Sequence, residues 1–202
     1  MKYLFIVMGK SGAGKDTILN RILEDDILKL NKVVPFTTRA VRDGEVEGVN
    51  YNFITDEEFN ALLEDNKVLE YREYNYAWGP IKYGTMEDAD LVNSNSIMVN
   101  TLAGCKSIME HYKDCKSLCV IPIYISVPNY ERLLRSLQRE SNAKSDKAVY
   151  EFCRRLVADE EDFSEEKVKD IVPLNHVFIN IDLKETVMAV KELISKLLQN
   201  TL

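Results

Sequence analysis

The chain has 202 residues, a formal net charge of −7, and a composition that is 46% hydrophobic and 29% charged. This is an ordinary soluble globular make-up, of a size for one compact unit with inserted subdomains. The acidic balance argues against a binder of nucleic acid or of an anionic membrane, which needs a basic surface, but leaves room for a small phosphorylated ligand met by a local arginine cluster. No apolar run approaches membrane-spanning length. The run at the amino end lacks a small-residue cleavage site and reads as a strand, not a signal peptide.

That run, residues 3–8, is too short for a core helix and rich in strand formers, so a buried parallel strand is expected. Gly9, Lys10, Ser11, Gly12, Ala13, Gly14, Lys15, Asp16 and Thr17 follow, and residues 16–24 have helical spacing. Strand, glycine loop and helix is the context in which a phosphate-loop pattern carries chemistry. The loop aims backbone N–H groups inward, and the helix start adds free N–H groups and its positive dipole end. Lys15 can reach the β- and γ-phosphates of a nucleotide. Asp16 stands where such loops usually place a Ser or Thr hydroxyl for Mg²⁺. A carboxylate can hold Mg²⁺ directly or through water, and it can also repel phosphate; Thr17 offers a hydroxyl one residue on.

Further strands are expected over 32–36, 97–100, 118–125 and 176–180, and helices over 102–112, 129–139, 147–163 and 184–199. The alternation implies a parallel sheet covered on both faces. In the last helix, Val187, Val190, Leu193, Ile194, Leu197 and Leu198 share one face, a core stripe.

Residues 38–84 break the rhythm. A charged loop with Arg39 and Arg42 leads to residues 50–54, which alternate like a half-buried strand. Thr55 and Glu58 form a capping-box pattern for a short helix, and residues 68–74 are again strand-like. This reads as a small α+β insertion over the sheet. A second irregular piece carries Arg132, Arg135, Arg139, Arg154 and Arg155 around a polar joint at 141–146. It is either a lid that faces inward with arginine or a solvated hairpin. The acidic run Asp159, Glu160, Glu161 and Asp162 reads as a solvated helix end. Tyr71, Tyr74, Tyr76 and Trp78 read as packing for the insertion or lining for a base pocket. Cys105, Cys115, Cys119 and Cys153, with His111 and His176, lack a zinc-site spacing and read as reduced, buried thiols of a cytosolic protein.

Three stretches together carry a resemblance: the phosphate loop; Thr37, Thr38, Arg39, Ala40, Val41, Arg42, Asp43, Gly44 and Glu45; and Gly48, Val49, Asn50, Tyr51, Asn52 and Phe53, followed by Glu58, Phe59, Leu69, Glu70, Tyr83, Gly84 and Thr85. In that order and spacing the chain resembles the guanylate kinase family over nearly its whole length. The resemblance implies an α/β fold: a P-loop NTPase-type parallel sheet with helices on both faces, a small NMP-binding α+β insertion and a helical lid. The core would comprise 1–34, 86–130 and 156–202, the NMP-binding part 35–85, and the lid 131–155.

It also implies ATP-dependent phosphorylation of GMP or dGMP with Mg²⁺, in the cytoplasm, with nucleotides as the only partners. Monomer and homodimer both stay open. By resemblance, Gly9, Ser11, Gly12, Ala13, Gly14, Lys15, Asp16, Thr17 and Asn180 hold ATP. Arg39, Arg42, Tyr51 and Tyr83 hold the acceptor phosphate, Glu70 and Thr85 the guanine. Lys15, Arg39, Arg42, Arg135, Arg139 and Arg155 are the catalytic cations, and Asp16 with Thr17 the metal ligands. Transfer between two polyanions needs positioning and neutralisation more than a base, since the attacking phosphate is already ionised.

The sequence departs from the family at three places. Pro35 replaces a serine that hydrogen-bonds guanine. Val99, Asn100 and Thr101 stand where an Asp-x-Asp precedes Gly104. Residues 75–82 are a few extra between Glu70 and Tyr83. Two alternatives follow: a nucleoside monophosphate kinase with altered base preference, and a non-catalytic binding module of the same fold.

Overall fold

The computed structural model describes residues 1–42, 44–76, 79–88, 90–141 and 146–199. Its centre is β1 (Lys2–Met8), paired in parallel with β7 (Ser96–Val99) on one side and β8 (Leu118–Ser126) on the other. β2 (Asn31–Lys32) and β9 (Val177–Ile179) complete a five-stranded parallel sheet in the order β2-β7-β1-β8-β9.

Successive residues of β1 serve opposite faces, as the pleat requires. Phe5 and Val7 pack with Ile18, Leu19 and Ile22 of α1 (Lys15–Leu23) and with Val190 and Ile194 of α8 (Leu183–Gln199). Leu4, Ile6 and Met8 pack with Leu102, Cys105 and Ile108 of α4 (Leu102–His111) and with Val168 of α7 (Glu165–Ile171). The stripe expected on the last helix is the one that packs: Val187, Leu193, Leu197 and Leu198 rest against the first of these cores.

The strand expected over 32–36 is two strands in two sheets. Asn31 and Lys32 join β7, whereas β3 (Phe36–Thr37) belongs to a second sheet. Pro35 lies at the break. It has no N–H to extend a ladder, and its carbonyl turns to accept the Asn52 N–H at 2.9 Å.

The second sheet has the order β4-β3-β6-β5, with β4 at Asn52–Phe53, β5 at Val68–Tyr76 and β6 at Gly79–Met86. The eight residues of β6 are not among the expected strands, and residues 79–82 belong to the run counted as extra against the family. Its partner explains it. β5 and β6 form an antiparallel hairpin whose register sets Glu70 against Thr85 and Arg72 against Tyr83. α2 (Asp56–Glu64) starts on the expected capping box: the Glu58 N–H donates to Thr55 Oγ1 at 3.1 Å, and the Thr55 N–H donates to Glu58 Oε2 at 2.8 Å.

α5 (Asn129–Ser141) and α6 (Asp146–Asp162) follow β8. Residues 142–145 of the polar joint, and Trp78, lie outside the described residues, as does the Tyr76 side chain. All four cysteines are free, but burial was expected for all and holds only for Cys105; Cys115 and Cys119 are half-buried and Cys153 is exposed. Among the described residues no helix is long and apolar enough to cross a membrane.

Candidate active site

The glycine loop joins β1 to α1, and its shape is fixed from both sides. Gly14 caps α1 in the left-handed region at φ 85°, and Gly12 has φ 80°. A Cβ at Gly12 would come within 2.8 Å of Ser136 Oγ and 3.1 Å of the Arg132 carbonyl, so α5 lies directly on the loop. Asn180, buried at the end of β9, donates from Nδ2 to the Ala13 carbonyl at 2.9 Å. Lys15 Nζ donates to the Lys10 carbonyl at 3.2 Å, curling the lysine over the loop. Desolvation in the cleft pushes the Lys15 pKa below 10.5; Asp16 and Asp159 pull it up, and Arg132 and Arg155 push it down.

Opposite the loop, Thr37 and Thr38 pin the turn that carries Arg39. The Thr37 hydroxyl donates to the Lys82 carbonyl at 2.9 Å, and Thr38 Oγ1 accepts the Lys82 N–H at 2.9 Å. Arg39 is thereby held next to Tyr83 on β6. Its guanidinium forks onto Glu45, with Nη1 to Oε2 and Nη2 to Oε1 both at 2.6 Å, and lies 4.9 Å from the Tyr51 ring centroid. Its Nε is buried without a hydrogen-bond partner. Tyr51 and Tyr83 meet edge to face at 5.8 Å. Burial, with the Asp16 charge, pushes the Tyr51 phenol up to about 12, so it remains a proton donor throughout the neutral range.

The β5–β6 register supplies the third wall. Glu70, Arg72 and Tyr74 on one strand and Tyr83 and Thr85 on the other share a face, because each set is spaced by two. Glu70 Oε1 accepts from Thr85 Oγ1 at 2.8 Å and from Asn100 Nδ2 at 2.9 Å, and Glu70 Oε2 lies 3.3 Å from Arg72 Nη2.

These walls enclose one cavity of about 260 Å³. It is lined by Gly9, Ser11 and Lys15 from the loop; by Arg39, Arg42, Tyr51, Glu70, Tyr83 and Thr85 from the second sheet; and by Arg154 and Arg155 from α6. Gly12, Ala13 and Gly14 form the back of the loop. Asp16 and Thr17 are exposed in the first turn of α1, outside that lining. Arg135 does not line it either: its Nη2 donates to the carbonyls of Asn180 at 2.9 Å and Ile181 at 3.4 Å. The side chain of Arg139 lies outside the described residues.

A family model described as "Guanylate kinase" matches residues 1–197. The chain belongs to the guanylate kinase family. It is 32% identical over 195 residues to a guanylate kinase of Mycoplasmoides gallisepticum, covering 96% of this chain and 92% of that one. It is 33% identical over 153 residues to one of Mycoplasmopsis pulmonis, covering 72% and 75%. The crystal structure of guanylate kinase from Anaplasma phagocytophilum has the same fold, with a TM-score of 0.64 at 22% identity over 96% of this chain and 85% of that one. The guanylate kinase family consists of nucleotide kinases, which are phosphotransferases.

Within this guanylate kinase fold, two residues at the cavity were missed by sequence reasoning. The first is Asp159. Its run was expected to be a solvated helix end, yet Asp159 is buried and its Oδ2 accepts the Ser11 N–H at 2.6 Å, while Glu160 pairs with Lys10 at 2.7 Å. Asp159 also lies 3.6 Å from Arg132, which is fully buried. The available signal was the helical spacing of Asp159, four residues after Arg155 and so on the same face. The second is Arg72, two residues from Glu70 on a strand and hence on its face.

Nucleotide kinases generally need a divalent metal, and the donor set here suits one. Asp16 makes no side-chain hydrogen bond or ion pair among the described residues, is exposed next to Lys15 in the first turn of α1, and its charge bears on Lys15, Lys32 and Tyr51. One carboxylate plus phosphate oxygens and water is a usual Mg²⁺ complement. Among the described residues no group of three His, Cys, Asp or Glu gathers into a metal cage.

Proposed function

We propose that the named residues carry out the family reaction as follows. The chain transfers the γ-phosphoryl group of ATP to the phosphate of GMP or dGMP. The glycine loop and Lys15 hold the donor's β- and γ-phosphates, while Arg39, Arg42, Tyr51 and Tyr83 present the acceptor phosphate in line. Glu70 and Thr85 orient the guanine, and Asn180 fixes the loop from the donor side. The single observation that supports this reading is that one cavity is lined both by Lys15 and by Arg39, Arg42, Tyr51 and Tyr83.

No side chain needs to act as a base. The work is charge neutralisation and alignment in a site that excludes water. Tyr51 contributes a neutral donor that does not repel the incoming phosphate, and Arg39, whose Nη1 and Nη2 both donate to Glu45, contributes its charge and the N–H bonds that Glu45 and the Ala40 carbonyl leave free. Asp16 and Thr17 would hold a bound Mg²⁺, which would supply further neutralisation of the donor phosphates. Arg155 lies at the cavity. Arg135 and Arg139 belong to the segment 131–155, which would act as a lid by bringing further positive charge over the transferred group. The working place of such an enzyme is the cytoplasm, where its nucleotides are.

A coupled ADP assay with GMP, dGMP, AMP, CMP and UMP tests the reading. GMP and dGMP are expected to lead by at least tenfold in kcat/KM. Equal use of all five, or no turnover at all, overturns it. The first result favours altered base preference and the second a binding module.

A further inference from the structure

Asn100 closes the base wall at the point where the two sheets meet. It follows β7, and its N–H donates to the Val7 carbonyl of β1 at 3.1 Å, so its backbone belongs to the core sheet. Its side chain is buried, lines the cavity and reaches the second sheet. Oδ1 accepts the Thr101 N–H at 2.7 Å and a bond from Nη2 of Arg72, while Nδ2 donates to Glu70 Oε1 at 2.9 Å. α4 leaves room for this group. A Cβ at Gly104 would run into Asn100 Oδ1 and come within 2.8 Å of Arg72 Nη2.

The neighbours fix which end of the carboxamide points where. A backbone N–H and a guanidinium can only donate, and an ionised carboxylate can only accept. The carbonyl must therefore face Thr101 and Arg72, and the amino group must face Glu70. A flipped amide would set like against like on both sides. Asn100 thus offers Glu70 a donor and nothing else, and adds no charge against the carboxylate.

That direction decides what Glu70 can show a base. Oε1 is taken by Thr85 at 2.8 Å and by Asn100. Oε2 accepts no hydrogen bond among the described residues; Arg72 Nη2, 3.3 Å away, bears on it as a charge. Oε2 is not sealed from solvent, unlike Nε and Nη1 of Arg72, which are buried without a partner. One oxygen with two lone pairs stays open, and guanine brings two adjacent donors, N1–H and the 2-amino group.

We infer that Asn100 is a positioning residue for base recognition: its amide engages Oε1 of Glu70 and thereby leaves Oε2 turned to the guanine donors. The inference rests on the guanylate kinase reading of the same cavity. It adds a residue that acts through Glu70 and not on the phosphates.

A reciprocal exchange of the two side-chain ends tests this. Glu70→Gln alone should present its amino group to the base, because Asn100 Nδ2 admits only a carbonyl beside it. Asn100→Asp alone removes the donor and sets a second carboxylate against Glu70. The two substitutions together keep the net charge and the volume. The carboxylate at position 100 then takes the amide N–H of position 70, and the carbonyl at position 70 turns to the base.

The readout is a coupled ADP assay. Glu70→Gln should lower kcat/KM for GMP by at least about a hundredfold, and Asn100→Asp by about thirtyfold. Both losses should lie in KM for GMP, with kcat and KM for ATP within about threefold of wild type. The double variant should return to within about tenfold of wild type, above either single variant, where independent effects would multiply. A thermal melt checks the fold of each. Should Asn100→Asp fold poorly, the double variant against Glu70→Gln still decides.

A double variant no better than Glu70→Gln overturns the inference. So does Asn100→Asp with an unchanged KM for GMP, or with equal losses in KM for GMP and for ATP. A wild type that does not turn over GMP sinks the underlying function, and the inference with it. The other adverse outcomes leave the function standing.

Discussion

Asp159 Oδ2 accepts the Ser11 backbone N–H at 2.6 Å, which sets a carboxylate against a loop built to receive phosphate. The same carboxylate lies 3.6 Å from Arg132, which is fully buried and makes no side-chain hydrogen bond; Glu160 at 3.8 Å is its other counter-charge. Asp159 therefore has two opposed effects. It compensates a buried cation and fixes the loop, but its charge works against an incoming triphosphate. Asp159→Asn keeps an acceptor for Ser11 and removes the charge. Because Glu160 still faces Arg132, the expected loss is about 2 kcal/mol, below the usual cost of breaking a buried pair. In a domain of this size that is a fall in Tm of about 4–8 °C. KM for ATP should drop several-fold. A thermal melt and an ATP titration check both, and an unchanged Tm contradicts the role given to Arg132.

Lys15 is the charge that the cleft desolvates most clearly, since its pKa lies below 10.5 mainly through burial. Folding therefore carries a cost for keeping it protonated at neutral pH, and that cost fades as pH rises through the lowered value. Lys15→Met removes the cost and the function together. Turnover should fall by at least about a thousandfold, the scale of a lost phosphate-stabilising cation. Tm should stay level or rise. The coupled assay and a melt decide it; a variant that loses Tm along with activity would point to a structural role for Lys15.

How much of this was legible in the sequence depends on the range of the interaction. β1, the glycine loop and α1 are contiguous, and period, glycine spacing and Lys15 marked them out. The capping box of Thr55 and Glu58 spans three residues and was equally plain. β6 was hidden because Gly79, Pro80 and Lys82 weaken its strand pattern, and only pairing with β5 makes it a strand. The split at Pro35 was hidden for a similar reason: two short strands that belong to different sheets look like one apolar run. At the site, Asp159 approaches Ser11 across 148 residues of chain, and nothing local to either distinguishes an acidic helix end in solvent from one folded onto the loop. Arg72 was readable from its spacing of two from Glu70, but its relation to Asn100 requires the meeting of the two sheets.

Glu45 holds Arg39 by two bonds of 2.6 Å and also accepts the Arg42 N–H at 2.9 Å, so one carboxylate sets the direction of the arginine and the course of its loop. Burial works to raise the Glu45 pKa, but the hydrogen bonds and charges of Arg39 and Arg42 outweigh it and hold it below 4.5. Glu45→Gln should raise KM for GMP about tenfold, the scale of one charge-assisted hydrogen bond. It should leave KM for ATP unchanged. The pH dependence follows from the sign of the shift. A lowered carboxylate pKa contributes stability above the unfolded value that is lost as pH falls through the folded value. The Tm difference between wild type and Glu45→Gln should thus be constant at neutral pH and close below pH 4.5. A gap that persists in acid would mean that Glu45 acts through shape and not charge.

Asp16 is exposed at the first turn of α1, next to Lys15, and its charge bears on Lys15, Lys32 and Tyr51. Two outcomes compete for it. If the carboxylate holds Mg²⁺, its removal raises the metal concentration needed for half-maximal turnover. If it only repels phosphate, its removal lowers KM for both nucleotides and leaves the metal requirement alone. The first is favoured, since a hard, unpaired carboxylate beside phosphate oxygens is a better ligand for Mg²⁺ than a hydroxyl. Asp16→Ala should therefore need about tenfold more Mg²⁺. Asp16→Ser, which restores the hydroxyl common in such loops, should recover most of that loss. A Mg²⁺ titration of turnover at fixed ATP separates the two. A second titration, following Mn²⁺ binding to the protein with ADP bound, should shift by the same factor without any turnover. Coincident curves for wild type and Asp16→Ala in both titrations would remove Asp16 from the metal site and leave Thr17 to be tested by Thr17→Val.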